Sequence, residues 1–127
     1  MEILSLKKTE HTPKIELDPD KGTLDFEGRS IPRDAKEFYT PVFEWLEEYI
    51  KNPQPKTSVK IYIDYFNTGS SVYLSNLFKR LNVLYESGSE VSVQWLYDED
   101  DEDIQTDGEM FKRHISAPFE IVMVKGE

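Results

Sequence analysis

Alternating apolar residues Val59, Ile61 and Ile63 lead into Asn67-Thr68-Gly69-Ser70-Ser71, and a helical pattern starts within those five residues. A strand that passes straight into a helix cannot return as a hairpin. Strands and helices go on alternating through the rest of the chain, which demands right-handed crossovers and some parallel pairing. With antiparallel strands before it, this alternation predicts a mixed α/β sheet. The junction also sets three hydroxyls and an amide at the first turn of one helix, where one cap would suffice.

The flanking segments fill in the architecture. Ile3 to Leu6 reads as a short strand. Lys14-Ile15-Glu16-Leu17-Asp18 and Thr23-Leu24-Asp25-Phe26-Glu27 alternate with period two around the turn Asp20-Lys21-Gly22, the pattern of an antiparallel hairpin with one wet face. Arg29 to Arg33 reads as a loop. Phe38, Val42, Trp45, Leu46, Tyr49 and Ile50 recur at helical spacing. Asp34 with Glu37 resembles a capping box, which starts that helix near Asp34 and leaves Pro41 to kink it; a start at Thr40 would instead put Pro41 in the first turn. Asn52-Pro53-Gln54-Pro55 ends it.

Thr57 to Phe66 reads as the strongest strand, with Val59, Ile61, Ile63 and Tyr65 on one side and Tyr62, Asp64 and Phe66 on the other. A second helix over Thr68 to Ser87 buries Leu74, Leu77, Phe78, Leu81 and Leu84, and Gly88 caps its end. Glu90 to Tyr97 is a strand, Glu109 to Ile115 a short helix, and Phe119 to Val124 a last strand. The expected order is β-β-β-α-β-α-β-α-β: one domain over residues 1–127, a mixed five- to six-stranded sheet, and helices mainly on one face.

Composition narrows the function. The 127 residues carry 15 basic and 25 acidic side chains, a formal charge of -10. Nucleic acid and anionic membrane call for clustered cations, so neither is an expected partner; a basic protein surface suits this chain better. There is no cysteine, which excludes disulfides and thiolate metal sites and is consistent with a reducing compartment. The amino-terminal residues have no signal-peptide pattern and no run is long enough to cross a bilayer, so a soluble cytoplasmic protein is expected. No Walker-type or dinucleotide-type glycine pattern is present, His11 and His114 are far apart, and Ser70 lacks a nucleophile elbow. No catalytic residues, metal or cofactor are expected, and the chain is read as a non-enzyme.

The run Asp98 to Asp103 invites a calcium reading, because Asp98, Asp100, Glu102 and Glu109 fall at the first, third, fifth and twelfth positions of a hypothetical loop. The sixth position is Asp103, where that loop needs glycine. A solvated acidic loop, open to a basic partner, is the expectation.

Two readings of Asn67 to Ser71 remain. In one, Asn67 or Thr68 caps the helix and Ser71 fills the corner. In the other, the turn receives phosphate. The helix amino terminus is electropositive, and its first turn lacks Asp and Glu in a chain rich in both. Gly69 would let a kinase approach the backbone.

The segments DAKEFYTPVFEWLEEYI, IYIDYFNTGSSVYLSNLFKRL, VQWLYDEDDEDIQTDGEMF and PFEIV resemble the SiaC family of regulatory phosphoproteins, within a STAS-like, anti-sigma-factor-antagonist type of fold. The resemblance implies a partner-switching regulator. Its hydroxyl residue at this turn, Thr68 here with Ser70 and Ser71 as alternatives, is phosphorylated by a GHKL-type protein kinase and dephosphorylated by a PP2C-type phosphatase. The unmodified form binds and activates a diguanylate cyclase, which links it to cyclic-di-GMP and biofilm control. Expected partner contacts are Asn67, Gly69, Ser70, Ser71, Tyr73, Asn76 and Lys79, with Asp64 orienting the hydroxyl. A sigma-factor cascade or a constitutive scaffold are the alternatives.

Overall fold

The computed structural model describes residues 1–126. Nine elements follow the expected order: β1 (Leu4–Leu6), β2 (Lys14–Asp18), β3 (Thr23–Ser30), α1 (Ala35–Lys51), β4 (Lys56–Phe66), α2 (Thr68–Glu86), β5 (Glu90–Asp98), α3 (Glu102–Lys112) and β6 (Phe119–Val124). The six strands form one sheet in chain order; β1-β2-β3 pair antiparallel and β3-β4-β5-β6 pair parallel. Each crossover steps one strand in the same direction. With one handedness, that puts all three helices on the same face. Side chains from all three join Leu24, Phe26, Val59, Ile61, Val91, Val93 and Trp95 in a single core, while Glu27, Lys60, Ser92 and Gln94 remain on the uncovered face. Among the described residues, no helix is long and apolar enough to cross a membrane.

Helix α1 starts where the capping box places it: Asp34 Oδ1 accepts from the Glu37 amide at 3.1 Å. It then runs unbroken through Pro41. That proline faces solvent, where water can meet the carbonyl that loses its partner. On α2 the five residues of the expected stripe are all buried, and Gly88 follows the helix at φ +109°, a conformation that favours glycine.

Three segments depart from the sequence reading. Strand β3 extends to Ser30, taking in Arg29 and Ser30 that read as loop, because parallel partners on β4 continue as far as Phe66. A bulge on β4 opposes Gly28 to Ile63 and Arg29 to Tyr65, leaving Asp64 as the extra residue. One extra residue reverses the alternation. Tyr65, assigned to the apolar side, is therefore exposed, and Phe66 turns inward to meet Trp95 edge-on at 6.4 Å between ring centroids. Last, α3 begins at Glu102 rather than Glu109. The acidic run is not only a loop: Asp101 caps the helix by accepting from the Ile104 amide at 3.1 Å, and Glu102 and Asp103 occupy its first turn. There their charge meets the positive end of the helix dipole.

Candidate functional site

Strand β4 delivers Asn67 directly onto the start of α2, and the turn divides its polar groups among separate tasks. Asn67 is the cap: its Oδ1 accepts from the Ser70 amide at 2.9 Å. Thr68 is thus the first helical residue and not the cap. It is exposed, and its hydroxyl takes no part in the side-chain hydrogen bonds among the described residues. No acidic residue stands in the first turn of α2, whereas α1 has one and α3 has two. The partial positive charge of this terminus is met by no side-chain anion of its own turn.

The other two hydroxyls are occupied. Ser71 Oγ donates back to the Thr68 carbonyl at 2.7 Å. Ser70 is fully buried and donates to the Ser30 carbonyl at 2.9 Å. This corrects the expectation for Ser70 as alternative acceptor and partner contact: the helical period turns it inward beneath the exposed Thr68, out of reach of another protein. Gly69 is exposed. A Cβ there would meet Ala35 Cβ and Asn67 Oδ1 at 3.7 Å each, ordinary contact, so packing does not require glycine.

Tyr73, Asn76 and Lys79 lie together on one side of α2. They line a groove of about 640 Å³ between α1 and α2, opposite Thr40, Phe43 and Glu47. Phe43 and Tyr73 supply apolar surface, with ring centroids 6.0 Å apart. Arg80 Nη1 pairs with Glu47 Oε1 at 2.7 Å, joining the two walls. Thr68 and Val72 lie on the exposed surface of the same helix, so the candidate acceptor stands at the head of the helix that forms one wall.

Asp64 is not brought to the acceptor. The bulge leaves it exposed, lining a separate cleft with Lys8, His11 and Arg29, and no hydrogen bond joins it to Thr68. Ser30 and Tyr39 are functional-site neighbours that no local motif marks. Both are buried beneath the turn. The local pattern around Ser30 predicts loop, and Tyr39 falls between the positions of the α1 stripe. A tyrosine adjoining an apolar stripe was the one available signal.

Both the sequence and the fold have known relatives. The family model described as SiaC family regulatory phosphoprotein matches residues 6–124. The protein PA14_02130 of Pseudomonas aeruginosa (strain UCBPP-PA14) is 29% identical over 121 residues, covering 95% of this chain and 96% of that protein. A chain in the crystal structure of diguanylate cyclase SiaD in complex with its activator SiaC, from Pseudomonas aeruginosa, superposes with a TM-score of 0.90 at 28% identity, over 95% of this chain and 99% of that one. Apo-SiaC from Pseudomonas aeruginosa gives 0.88 at 28% identity, over 96% and 99%. With a family match over nearly its whole length and the same fold, the chain belongs to the SiaC family of regulatory phosphoproteins.

Proposed function

We propose that this chain, acting as one cytoplasmic regulatory domain, activates a diguanylate cyclase and that phosphorylation of Thr68 switches the activation off. The observation that carries the reading is the state of Thr68: an exposed, unbonded hydroxyl at a helix amino terminus without an acid, in a member of a phosphoprotein family. The structural neighbour in which SiaC is the activator of SiaD supports the choice of a cyclase as output.

In the forward step a GHKL-type kinase binds ATP as the phosphoryl donor. Thr68 Oγ1 attacks the γ-phosphorus, the bond to the β–γ bridging oxygen breaks, ADP leaves, and the hydroxyl proton passes to a base of the kinase. A PP2C-type phosphatase returns the hydroxyl by hydrolysis. The phosphate brings a charge of about -1.5 to -2 to the start of α2. The helix terminus accommodates it, so the fold persists. A cyclase surface that packs against Asn67, Thr68 and the groove walls at Tyr73, Asn76 and Lys79 meets that charge and is expelled. Catalysis resides in the partners, and the chain itself serves as their substrate and ligand.

The test compares wild type, Thr68→Ala and Thr68→Glu for binding and activation of the SiaD-type cyclase of the same organism. Wild type and Thr68→Ala should bind and raise cyclic-di-GMP production. Thr68→Glu should lose about a hundredfold in affinity, roughly 2.8 kcal/mol, while remaining folded. Equal activation by all three overturns the switch. Co-expression with the organism's GHKL-type kinase should place phosphate on Thr68 by mass spectrometry, and phosphate elsewhere overturns the residue assignment.

A further inference from the structure

Beneath Thr68 lies a closed chain of buried hydroxyls. Ser30 Oγ donates to Ser70 Oγ at 2.8 Å, and Ser70 Oγ donates to the Ser30 carbonyl at 2.9 Å. Tyr39 Oη is bonded to Ser30 Oγ. A serine hydroxyl has one hydrogen. Ser30 gives its own to Ser70, so Tyr39 must be the donor to Ser30. The protons therefore run in one direction, from Tyr39 through Ser30 and Ser70 to the Ser30 carbonyl. Burial raises the Tyr39 pKa above its ordinary value, which keeps the phenol protonated as this order requires.

The same Ser30 carbonyl also accepts from the Asn67 amide at 3.2 Å. Residues 67 and 70 are thus both fastened to the end of β3, and to each other through the Asn67 cap. Only Thr68 and Gly69 lie between these two pins. Tyr39 ties the assembly to α1. Its ring stacks on Tyr73 of the groove, 5.2 Å between centroids and 12° between planes.

Three hydrogen-bonded hydroxyls in a buried site are a costly way to fill space, because apolar groups of the same shape would pack there without directional demands. What hydroxyls add is geometry. Phosphoryl transfer depends almost wholly on positioning, and a misplacement of about 1 Å can cost about a hundredfold in rate.

We propose that Ser30, Tyr39 and Ser70 form a positioning network that holds the first turn of α2 in the register that presents the Thr68 hydroxyl to its kinase. Tyr39 and Ser70 are positioning residues: they touch neither nucleotide nor phosphate and act through the backbone of the turn. The inference rests on Thr68 as the acceptor.

The experiment uses the full chain, ATP and the GHKL-type kinase found to modify wild type, with Tyr39→Phe, Ser70→Ala and Thr68→Ala as variants. Amide hydrogen exchange is read in parallel at residues 68–72. Tyr39→Phe and Ser70→Ala should lower kcat for Thr68 phosphorylation about tenfold or more with KM little changed, since the docking surface is intact, and should speed exchange in the first turn of α2 alone. Wild-type kcat in folded Tyr39→Phe overturns the proposal. So does a rise in KM alone, which would mean lost docking. If Ser70→Ala fails to fold, Tyr39→Phe still decides, because it removes only one oxygen. Phosphate incorporation that persists in Thr68→Ala would refute the acceptor assignment, and the proposal with it, whereas wild-type exchange at residues 68–72 in Tyr39→Phe would refute the network alone.

Discussion

Gly108 of α3 lies directly against the indole of Trp95: a Cβ at position 108 would sit 2.6 Å from Trp95 Nε1 and 2.9 Å from its Cγ. The indole cannot give way. Its Nε1 donates to the Ile104 carbonyl of the same helix at 2.9 Å, and Phe66, Phe78, Phe111 and Phe119 surround the ring. The acidic helix is therefore seated on the sheet through one glycine and one tryptophan. Replacing Gly108 by Ala gains about 1 kcal/mol of helix propensity but forces α3 off the sheet, so the net expectation is a loss of about 1–3 kcal/mol by urea denaturation. A variant as stable as wild type would show that the contact is loose.

Neighbouring residues at the start of α2 should respond in opposite ways. Asn67→Ala removes the bond to the Ser70 amide and should cost about 1 kcal/mol. Thr68→Ala removes no side-chain hydrogen bond and should change stability by less than about 0.5 kcal/mol. Thr68→Glu places an anion in a first turn that has none and should stabilise by about 0.3–1 kcal/mol. Denaturant midpoints for the three variants test the assignment, and a Thr68→Ala loss as large as that of Asn67→Ala would make Thr68 a structural residue.

On the uncovered face of the sheet, Tyr62 Oη donates to Asp98 Oδ1. This hydrogen bond, followed by desolvation and the Asp98 charge, pushes the tyrosine pKa up to about 12. The folded pKa lies above the ordinary value of 10.0, so the bond's contribution to stability is complete below that value and disappears as pH rises through about 12. Tyrosinate absorbance should show a late-titrating group in wild type that is missing in Tyr62→Phe and shifted toward 10 in Asp98→Asn, while the contribution of buried Tyr39 stays in place in both variants. A Tyr62 titration unchanged by Asp98→Asn would exclude the hydrogen bond as its cause.

Asp107 on α3 works in the other direction. Burial, then the charges of Asp103 and Asp101, raise its pKa above the usual 3.8. A carboxyl whose folded pKa is raised destabilises the native state when ionised, and stability recovers as pH falls through that raised value. Asp107→Asn should therefore be more stable than wild type at neutral pH, and the difference should shrink under mild acid. Identical pH profiles for the two proteins would refute the assignment.

Nearly all of the architecture was legible in the sequence because it follows from local periodicity. Leu74, Leu77, Phe78, Leu81 and Leu84 mark α2 at helical spacing, and all are buried. Leu24 with Phe26 and Val91 with Val93 mark strands with one wet face. The late alternation of strands and helices demanded some parallel pairing, and β3 to β6 pair that way. Periodicity says nothing, however, about where a strand slips. The bulge at Asp64 exchanged the roles of Tyr65 and Phe66 through pairing with β3, which lies more than thirty residues earlier in the chain. The acidic run concealed the start of α3 because charged residues carry no apolar stripe, while a cap and a dipole only act once the helix exists.

The candidate site divides along the same line. The electropositive helix end, the missing acid and the cluster of hydroxyls at Asn67 to Ser71 are properties of adjacent residues, so the amino-acid order alone determined them. Which hydroxyl is free was a tertiary decision. Thr68 and Ser70 differ in role because Ser30 on β3 and Tyr39 on α1 converge on one and leave the other in water. Those partners are 40 and 31 residues away from Ser70 in the chain. Contacts of that separation are chosen by how the sheet and helices pack, which no local pattern encodes.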